Sequence, residues 1–380
     1  MKVRLGDVAT YINGYAFKPE DWSDSGLPII RIQDLTGNSY KTNRFSGKYD
    51  KKFEVNDGDI LISWSASIGV YVWRGEKAVL NQHIFKVKFD KQVNICKKFF
   101  IYQVENILKK AILETHGATM KHLTKPVFDS LPFYLPDIKK QNEISAILDK
   151  ISEIISLRQR QLKKLDELVK SRFIEMFGDP YFNFRKWNVV LIKDICVLLK
   201  SGLSRKLSGV DIGIPVIRSI NINEGQFDST DLKYWYICDP QGANIKDYLL
   251  NDGDLLINFI NSQSQIGKCC IYKDIGRPCI YTTNILRMIL KNECNKFYFN
   301  YLAQTKFYKQ KINIIMQPAV NQASFTTTNF LKIEIPLPPL NLQNEFADFV
   351  KQTDKSKLEI QKSLDKLEIL KKSLMQQYFG

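Results

Sequence analysis

The sequence is built from two copies of one pattern. Gly26-Leu-Pro-Ile-Ile-Arg-Ile-Gln-Asp-Leu35 returns as Gly213-Ile-Pro-Val-Ile-Arg-Ser-Ile-Asn-Ile222, and Val55-Asn-Asp-Gly-Asp-Ile-Leu-Ile-Ser63 returns as Leu250-Asn-Asp-Gly-Asp-Leu-Leu-Ile-Asn258. Toward the end of each copy the match keeps an offset of 202: Pro136 with Pro338, Gln141-Asn142-Glu143 with Gln343-Asn344-Glu345, Leu165 with Leu367, Ser171 with Ser373, and Phe177-Gly178 with Phe379-Gly380. A chain so duplicated folds as two like units of roughly 190 residues, not as one enlarged core.

Charge is duplicated as well. The net charge is +15, with +8 in residues 1–178 and +7 in 179–380. A single basic tail would not divide so evenly, so each copy is expected to meet a polyanion by itself.

Each copy ends in a long helix. Ile144, Leu148, Ile151, Ile155, Leu162, Leu165 and Val169 follow 4-3-4 spacing, with Arg158 in the missing slot. Phe346, Val350, Thr353, Lys357, Ile360, Leu364, Leu367 and Lys371 are their counterparts. Such a heptad stripe needs a partner. A helix from Lys139 to Phe177 would be about 58 Å long, and its economical partner is the other copy's helix. Packing of each helix on its own globular part is the alternative. Pro136 and Pro338 precede the helices, and Asn341 is an expected N-cap.

The globular parts read as α/β. Pro28–Ile32, Ile60–Ser63, Val70–Trp73 and Ile84–Phe89 are strand-like in the first copy, with helical periodicity over Ile95–Leu113. Pro215–Ile220, Leu255–Asn258, Lys268–Tyr272 and Ile285–Leu290 take those roles in the second, with a helix over Phe297–Ile315. Asn56-Asp57-Gly58-Asp59 and Asn251-Asp252-Gly253-Asp254 read as turns. The seven cysteines lack the spacing of a disulfide or zinc framework, and three histidines are too few for a histidine-rich metal site. No metal site is expected. No apolar run reaches spanning length and the N-terminus has no apolar signal core, so a cytoplasmic protein without a membrane partner is expected.

In this order the motifs resemble the specificity subunits of type I restriction–modification systems. Carrying the likeness are Gly26–Arg31 and Gly213–Arg218, Asn56–Ile62 and Asn251–Ile257, then Ile68-Gly69 and Ile266-Gly267. Leu135-Pro136 and Pro336–Leu340 follow, leading into the two Gln-Asn-Glu helix starts and the two Phe-Gly ends, with Met176–Pro180 close to the family pattern. Where the first copy has Asn81-Gln82 the second has Thr283-Asn284, a departure from the pattern. The resemblance spans nearly the whole chain. It implies target recognition domains over 1–136 and 179–335, with spacer helices over 137–178 and 336–380 pairing antiparallel about a pseudo-twofold axis. It further implies a non-catalytic subunit of a type I site-specific deoxyribonuclease and adenine methyltransferase complex. That subunit reads a bipartite target in double-stranded DNA and docks two modification subunits and the restriction subunits. S-adenosylmethionine, ATP and Mg would belong to those partners, with no cofactor on this chain.

The residues agree with that absence of chemistry. No [DNS]-P-P-[YF] loop is present to hold a flipped base, and Gly267-Lys268 lacks the first glycine and the Ser or Thr of a phosphate-cradling loop. An adaptor that holds two protein partners through the helices, with incidental basic charge, is the main rival. A self-contained nuclease is a third reading, which the even duplication argues against.

DNA contact is expected where the copies diverge. Ser63, Trp64, Ser65 and Ser67 in the first copy stand against Asn258, Asn261, Ser262, Gln263, Ser264 and Gln265 in the second. Asn and Gln can bind adenine bidentately, and Ser can donate or accept. A plain solvated loop is the duller alternative. Lys121 and His122, with Asn321, Gln322 and Ser324 opposite them, form a second candidate segment, and Asn81, Gln82 and His83 a third. Arg31 and Arg218 either contact phosphate or a base edge, or pair with an acid such as Asp34. Trp64 and Phe259 either stack on bases or anchor their loops. The lysines are expected to bind phosphate and set a steep salt dependence.

Overall fold

The computed structural model describes residues 1–65, 67–114, 124–318 and 322–380. The chain forms two compact units, Met1–Gln159 with Lys362–Gly380, and Arg160–Gln361. Each combines one globular part with the leading portion of one long helix and the trailing portion of the other, so compactness cuts across the linear order of the repeat.

Both units are built around the same antiparallel four-stranded sheet. In the first unit its order is Thr10–Asn13, Ile84–Lys88, Ile60–Ser63, Gly69–Val72. In the second it is Cys196–Ser201, Ile285–Leu290, Leu255–Asn258, Cys269–Ile271. The unbroken apolar runs of the central strands follow from burial on both faces. Ile60 and Ile62 enter one core while Leu61 enters the other. Leu255 and Ile257 likewise part from Leu256. A second, smaller sheet covers one face of each. It pairs Leu27–Ile30 parallel to Ala78–Leu80 in the first unit, and Ile214–Ile217 parallel to Ile280–Tyr281 in the second.

The Asn-Asp-Gly-Asp segments are turns, as expected. The Asp59 and Asp254 carboxylates accept from the amides of Asn56 (2.9 Å) and Asn251 (2.7 Å), and Gly58 and Gly253 take φ +85 and +91. Only glycine holds that conformation without strain.

The long helices run Ile138–Phe177 and Leu340–Phe379. Within each unit their portions pair antiparallel. In the second unit Lys357 meets Asp166 at 2.5 Å, the Arg172 guanidinium lies over Phe349, and Phe173 and Phe177 abut Phe346. In the first unit Ile144 and Leu148 share a core with Met375. Every member of both heptad stripes is buried or half-buried, Arg158 and Lys357 included. The helix portions also pack on their globular parts, so the two readings of the stripe are both realised.

Two expectations change. Asn341 lies inside the first turn, because the helix already starts at Leu340 with the Pro339 carbonyl accepting from Leu342 and Gln343. The single helix expected over Phe297–Ile315 is two, Lys296–Leu302 and Lys306–Ile315. Thr305 divides them: its hydroxyl donates to the Leu302 carbonyl (2.7 Å) and accepts from the Tyr308 amide (3.3 Å), closing one helix and capping the next.

The Gln-Asn-Glu motif has a structural explanation. Gln343 is fully buried; its amide donates to the carbonyls of Glu293 (3.2 Å) and Pro338 (2.7 Å) and its oxygen accepts from the Asn295 amide (2.8 Å). Gln141 does the same with Asn94 (3.0 Å), Pro136 (2.9 Å) and Cys96 (2.9 Å). One side chain thus locks each long helix to the loop that starts the globular helix.

Candidate nucleic-acid interface

The sheet topology gathers the candidate segments at one end of each unit. In the first, Ser63 pairs with Ile84, the Trp64 amide donates to the His83 carbonyl (3.3 Å), and the Asn81 amide donates to the Ile30 carbonyl (3.1 Å), beside Arg31. In the second, the Phe259 amide donates to Asn284 (3.1 Å), Thr282 to Ile217 (3.0 Å), and the Asn258 side chain to Ser219 (3.4 Å), next to Arg218. Ile260 and Asn261 pair with Ser324 and Ala323, which pair in turn with Gln317 and Pro318. This three-stranded ribbon joins the polar loop to the Gln322–Ser324 segment. Lys121, His122 and Asn321 lie outside the described residues.

Within that gathering the residues differ in availability. Ser63 and Asn258 are fully buried. Ser63 donates to the Ser65 carbonyl (3.1 Å), so these two side chains shape the loops from beneath. Ser67, Ser262, Gln263, Ser264 and Gln322 are exposed; Ser65, Asn81, Gln82, Asn261, Gln265 and Ser324 are half-buried. Asn81 and Asn261 use their side-chain oxygens on the following amides, of Gln82 (2.9 Å) and Ser262 (2.7 Å). Each also carries a side-chain NH2, a donor group. His83 holds φ +70, a conformation rarely adopted by residues with a side chain, and its ring meets Trp64 edge-on at 4.9 Å.

Trp64 also stacks on Phe85 at 5.7 Å and donates to Asn13 (3.3 Å), and Phe259 packs on Phe325 and the main core. Both aromatics anchor their loops. Arg31 and Arg218 are engaged locally. Arg31 pairs with Asp34 (3.5 Å) and donates to the Lys41 carbonyl (2.8 Å); Arg218 pairs with Asp231 (3.0 Å). Their backbone amides are capped by Asp34 (2.8 Å) and Asn221 (2.8 Å), which accounts for the repeat around them. The geometry favours the acid-pairing alternative over phosphate for Arg31, whose side chain is only 18% exposed.

One charged pair below the sheet belongs to the second unit alone. Arg287 meets Asp254 at 2.7 Å, both nearly buried, where the first unit places Lys86 and uses it on the Glu54 carbonyl. At the unit's edge, Arg205 holds the Asp239 carboxyl well below the usual carboxylate range, and Asp239 also accepts from Trp235 and from the Ala243 and Gln241 amides. Among the described residues no group of three or more His, Cys, Asp or Glu is placed to hold a metal ion, and no helix is long and apolar enough to cross a membrane. What the site presents is an array of neutral donors and acceptors on a rigid sheet end, in a strongly basic chain. Groups of this kind can hydrogen-bond to base edges and phosphates.

Sequence reading missed the ribbon strands Gln317–Pro318 and Ala323–Ser324, because two residues carry no periodicity. It also left Asn284 outside the candidates, although Asn284 occupies the place that orders the second loop.

Comparison with known proteins places this geometry in context. A family model described as type I restriction modification DNA specificity domain matches residues 1–167 and again 185–370. The chain is 26% identical over 402 aligned positions to the type I restriction enzyme MjaVIII specificity subunit of Methanocaldococcus jannaschii, covering 98% of this chain and 90% of that protein. It is 20% identical to the EcoKI specificity subunit of Escherichia coli over 92% of this chain and 80% of that one. The fold is similar to the crystal structure of a type I restriction-modification S subunit from M. genitalium, with TM-score 0.57 and 14% identity over 100% of this chain and 96% of that one.

Proposed function

The chain belongs to the family of type I restriction–modification DNA specificity subunits, and from that membership we propose that it reads a bipartite DNA target, one half-site per unit, for a complex whose chemistry lies on other subunits. The readers are residues 1–136 and 179–335; the helices 137–178 and 336–380 space them and dock two modification subunits and the restriction subunits. S-adenosylmethionine, ATP and Mg act on those partners, in the cytoplasm.

One observation carries this reading: a shared central sheet presents different polar loops in the two units. The same four-stranded sheet, entered by the same Asn-Asp-Gly-Asp turn, delivers Ser63–Ser67 in one unit and Asn258–Gln265 in the other. A repeated scaffold with divergent hydrogen-bonding loops is what reading two different sequences requires. Among the described loop residues Ser63 and Asn258 are fully buried, while Ser67, Ser262, Gln263 and Ser264 are exposed.

The test is a gel shift of the chain with its modification subunit against pools of random duplex. Selective retention of a subset sharing two conserved blocks supports the reading. Uniform or absent retention, insensitive to salt, supports the adaptor and removes it.

A further inference from the structure

In the first unit the strand Thr10–Asn13 runs on into a segment that crosses the end of the sheet where the candidate readers gather. The Tyr15 amide donates to the Leu80 carbonyl (2.8 Å), and the Gln82 amide donates to the Tyr15 carbonyl (2.8 Å). Tyr15 and Asn81 thereby form a parallel bridge, and residues so paired share a face. The crossing is close enough to require Gly14, since a Cβ there would overlap the Asn81 carbonyl.

Tyr15 is 48% exposed, yet its ring is held in place. It meets Phe17 edge-on at 5.0 Å and Phe53 at 5.7 Å, and Phe17 in turn meets Phe45 at 5.0 Å. Phe17, Phe45 and Phe53 are half-buried. Three rings thus buttress a fourth whose outer part meets water. A tyrosine fixed in this way offers a large contact area and has little side-chain freedom left to lose on binding.

The second unit makes the same crossing without the aromatic. Leu203 bridges to Thr282, its amide donates to the Tyr281 carbonyl (2.9 Å), and a Cβ on Gly202 would overlap that carbonyl. Leu203 is buried. The backbone framework repeats while the group displayed on it does not, which is the pattern of the polar loops.

We infer that Tyr15 is a further base-contact residue of the first unit, its ring packing on the apolar edge of a base next to the one Asn81 and Gln82 address. In the major groove that apolar edge is the thymine methyl. Duplex DNA is the occupant because the Tyr15 peptide is bonded on both sides to segment 80–82, which carries two candidate readers. The inference rests on the DNA-reading function and adds a residue that loop divergence alone does not single out.

The test uses the full chain with its modification subunits and pools of random duplex, for wild type, Tyr15→Leu and Tyr15→Phe. Leucine is the residue that the second unit carries at this crossing, and thermal midpoints check that the variant folds. On duplexes selected by wild type, Tyr15→Leu should bind on the order of tenfold more weakly, with binding to unselected duplex unchanged. Tyr15→Phe keeps the ring and should retain most of the affinity. Selection repeated with Tyr15→Leu should relax one of the two conserved blocks and keep the other. Wild-type affinity and unchanged blocks in Tyr15→Leu overturn the inference. Equal weakening on selected and unselected duplex also overturns it, because that marks a phosphate or structural role. Loss of co-purifying modification subunits overturns it by making the ring a protein contact. If Tyr15→Leu does not fold, 5-iodouracil in place of thymine in the selected duplex decides with the wild-type chain: a photo-crosslink to Tyr15 supports the contact, and crosslinks that all fall elsewhere overturn it. A wild type that selects no blocks strikes the DNA-reading function itself, a result separate from any change between wild type and variants.

Discussion

Replacing Gln343 with leucine removes one buried side chain that satisfies three backbone groups. The Asn295 amide loses an acceptor at 2.8 Å, and the Glu293 and Pro338 carbonyls lose donors at 3.2 and 2.7 Å. At about 1 kcal/mol net per hydrogen bond the loss is about 3 kcal/mol, and leucine offers no polar atom in exchange. That corresponds to roughly a hundredfold, since 1.4 kcal/mol is a factor of ten. Hydrogen exchange reads it locally. The Asn295 amide should exchange about a hundredfold faster in Gln343→Leu, while the Cys96 amide, held by Gln141 at 2.9 Å in the other unit, keeps its wild-type rate. Gln141→Leu should give the mirror result. Unchanged protection of Asn295, or equal loss in both units, would refute the claim that one glutamine per unit locks helix to globular part.

Leu165→Asp, placing a charge in the helix seam, should cost on the order of 1.5–3 kcal/mol of apolar burial and abolish assembly with modification subunits before either globular part unfolds; co-purification and circular dichroism separate the two effects. Duplex affinity should fall steeply with salt, with a log–log slope near −0.9 per phosphate contacted; a flat response between 50 and 200 mM (roughly the range that resolves it) would favour the adaptor. The Asp239 carboxyl, held below the ordinary 3.8 first by the Arg205 hydrogen bond, contributes stability that is fully present above the unfolded value and is lost as pH falls below it. Arg205→Met should therefore destabilise the second unit at neutral pH and flatten its acid dependence below about pH 4, read as thermal midpoints against pH.

Much of this fold is legible in the residues because two periodicities are strong. Ile60–Ser63 and Leu255–Asn258 are observed as strands with those bounds, since a run buried on both faces stays apolar without alternation. The heptad stripe persists through Arg158 and Lys357 because only seam positions are constrained. The break at Thr305 was hidden: Phe297–Ile315 keeps its apolar rhythm across the capping residue, and a threonine within a helix reads like any other. The recurrence of Arg31 and Arg218 coincides with a capped turn, Asp34 and Asn221 each accepting from the arginine's own amide, which composition does not show. Loop composition shows where hydrogen-bonding groups gather, but which of Ser63 and Ser67 is buried depends on the strand end that holds them, and that is set by pairing with Ile84, far along the chain.

The central claim is that two units read two half-sites independently. Mapping methylated sites, in the presence of modification subunits, for a chimera in which residues 179–335 come from a related specificity subunit tests it directly. The account predicts that one half of the recognised sequence changes while the other half is kept. Simultaneous change of both halves would contradict it and require a single composite reading surface.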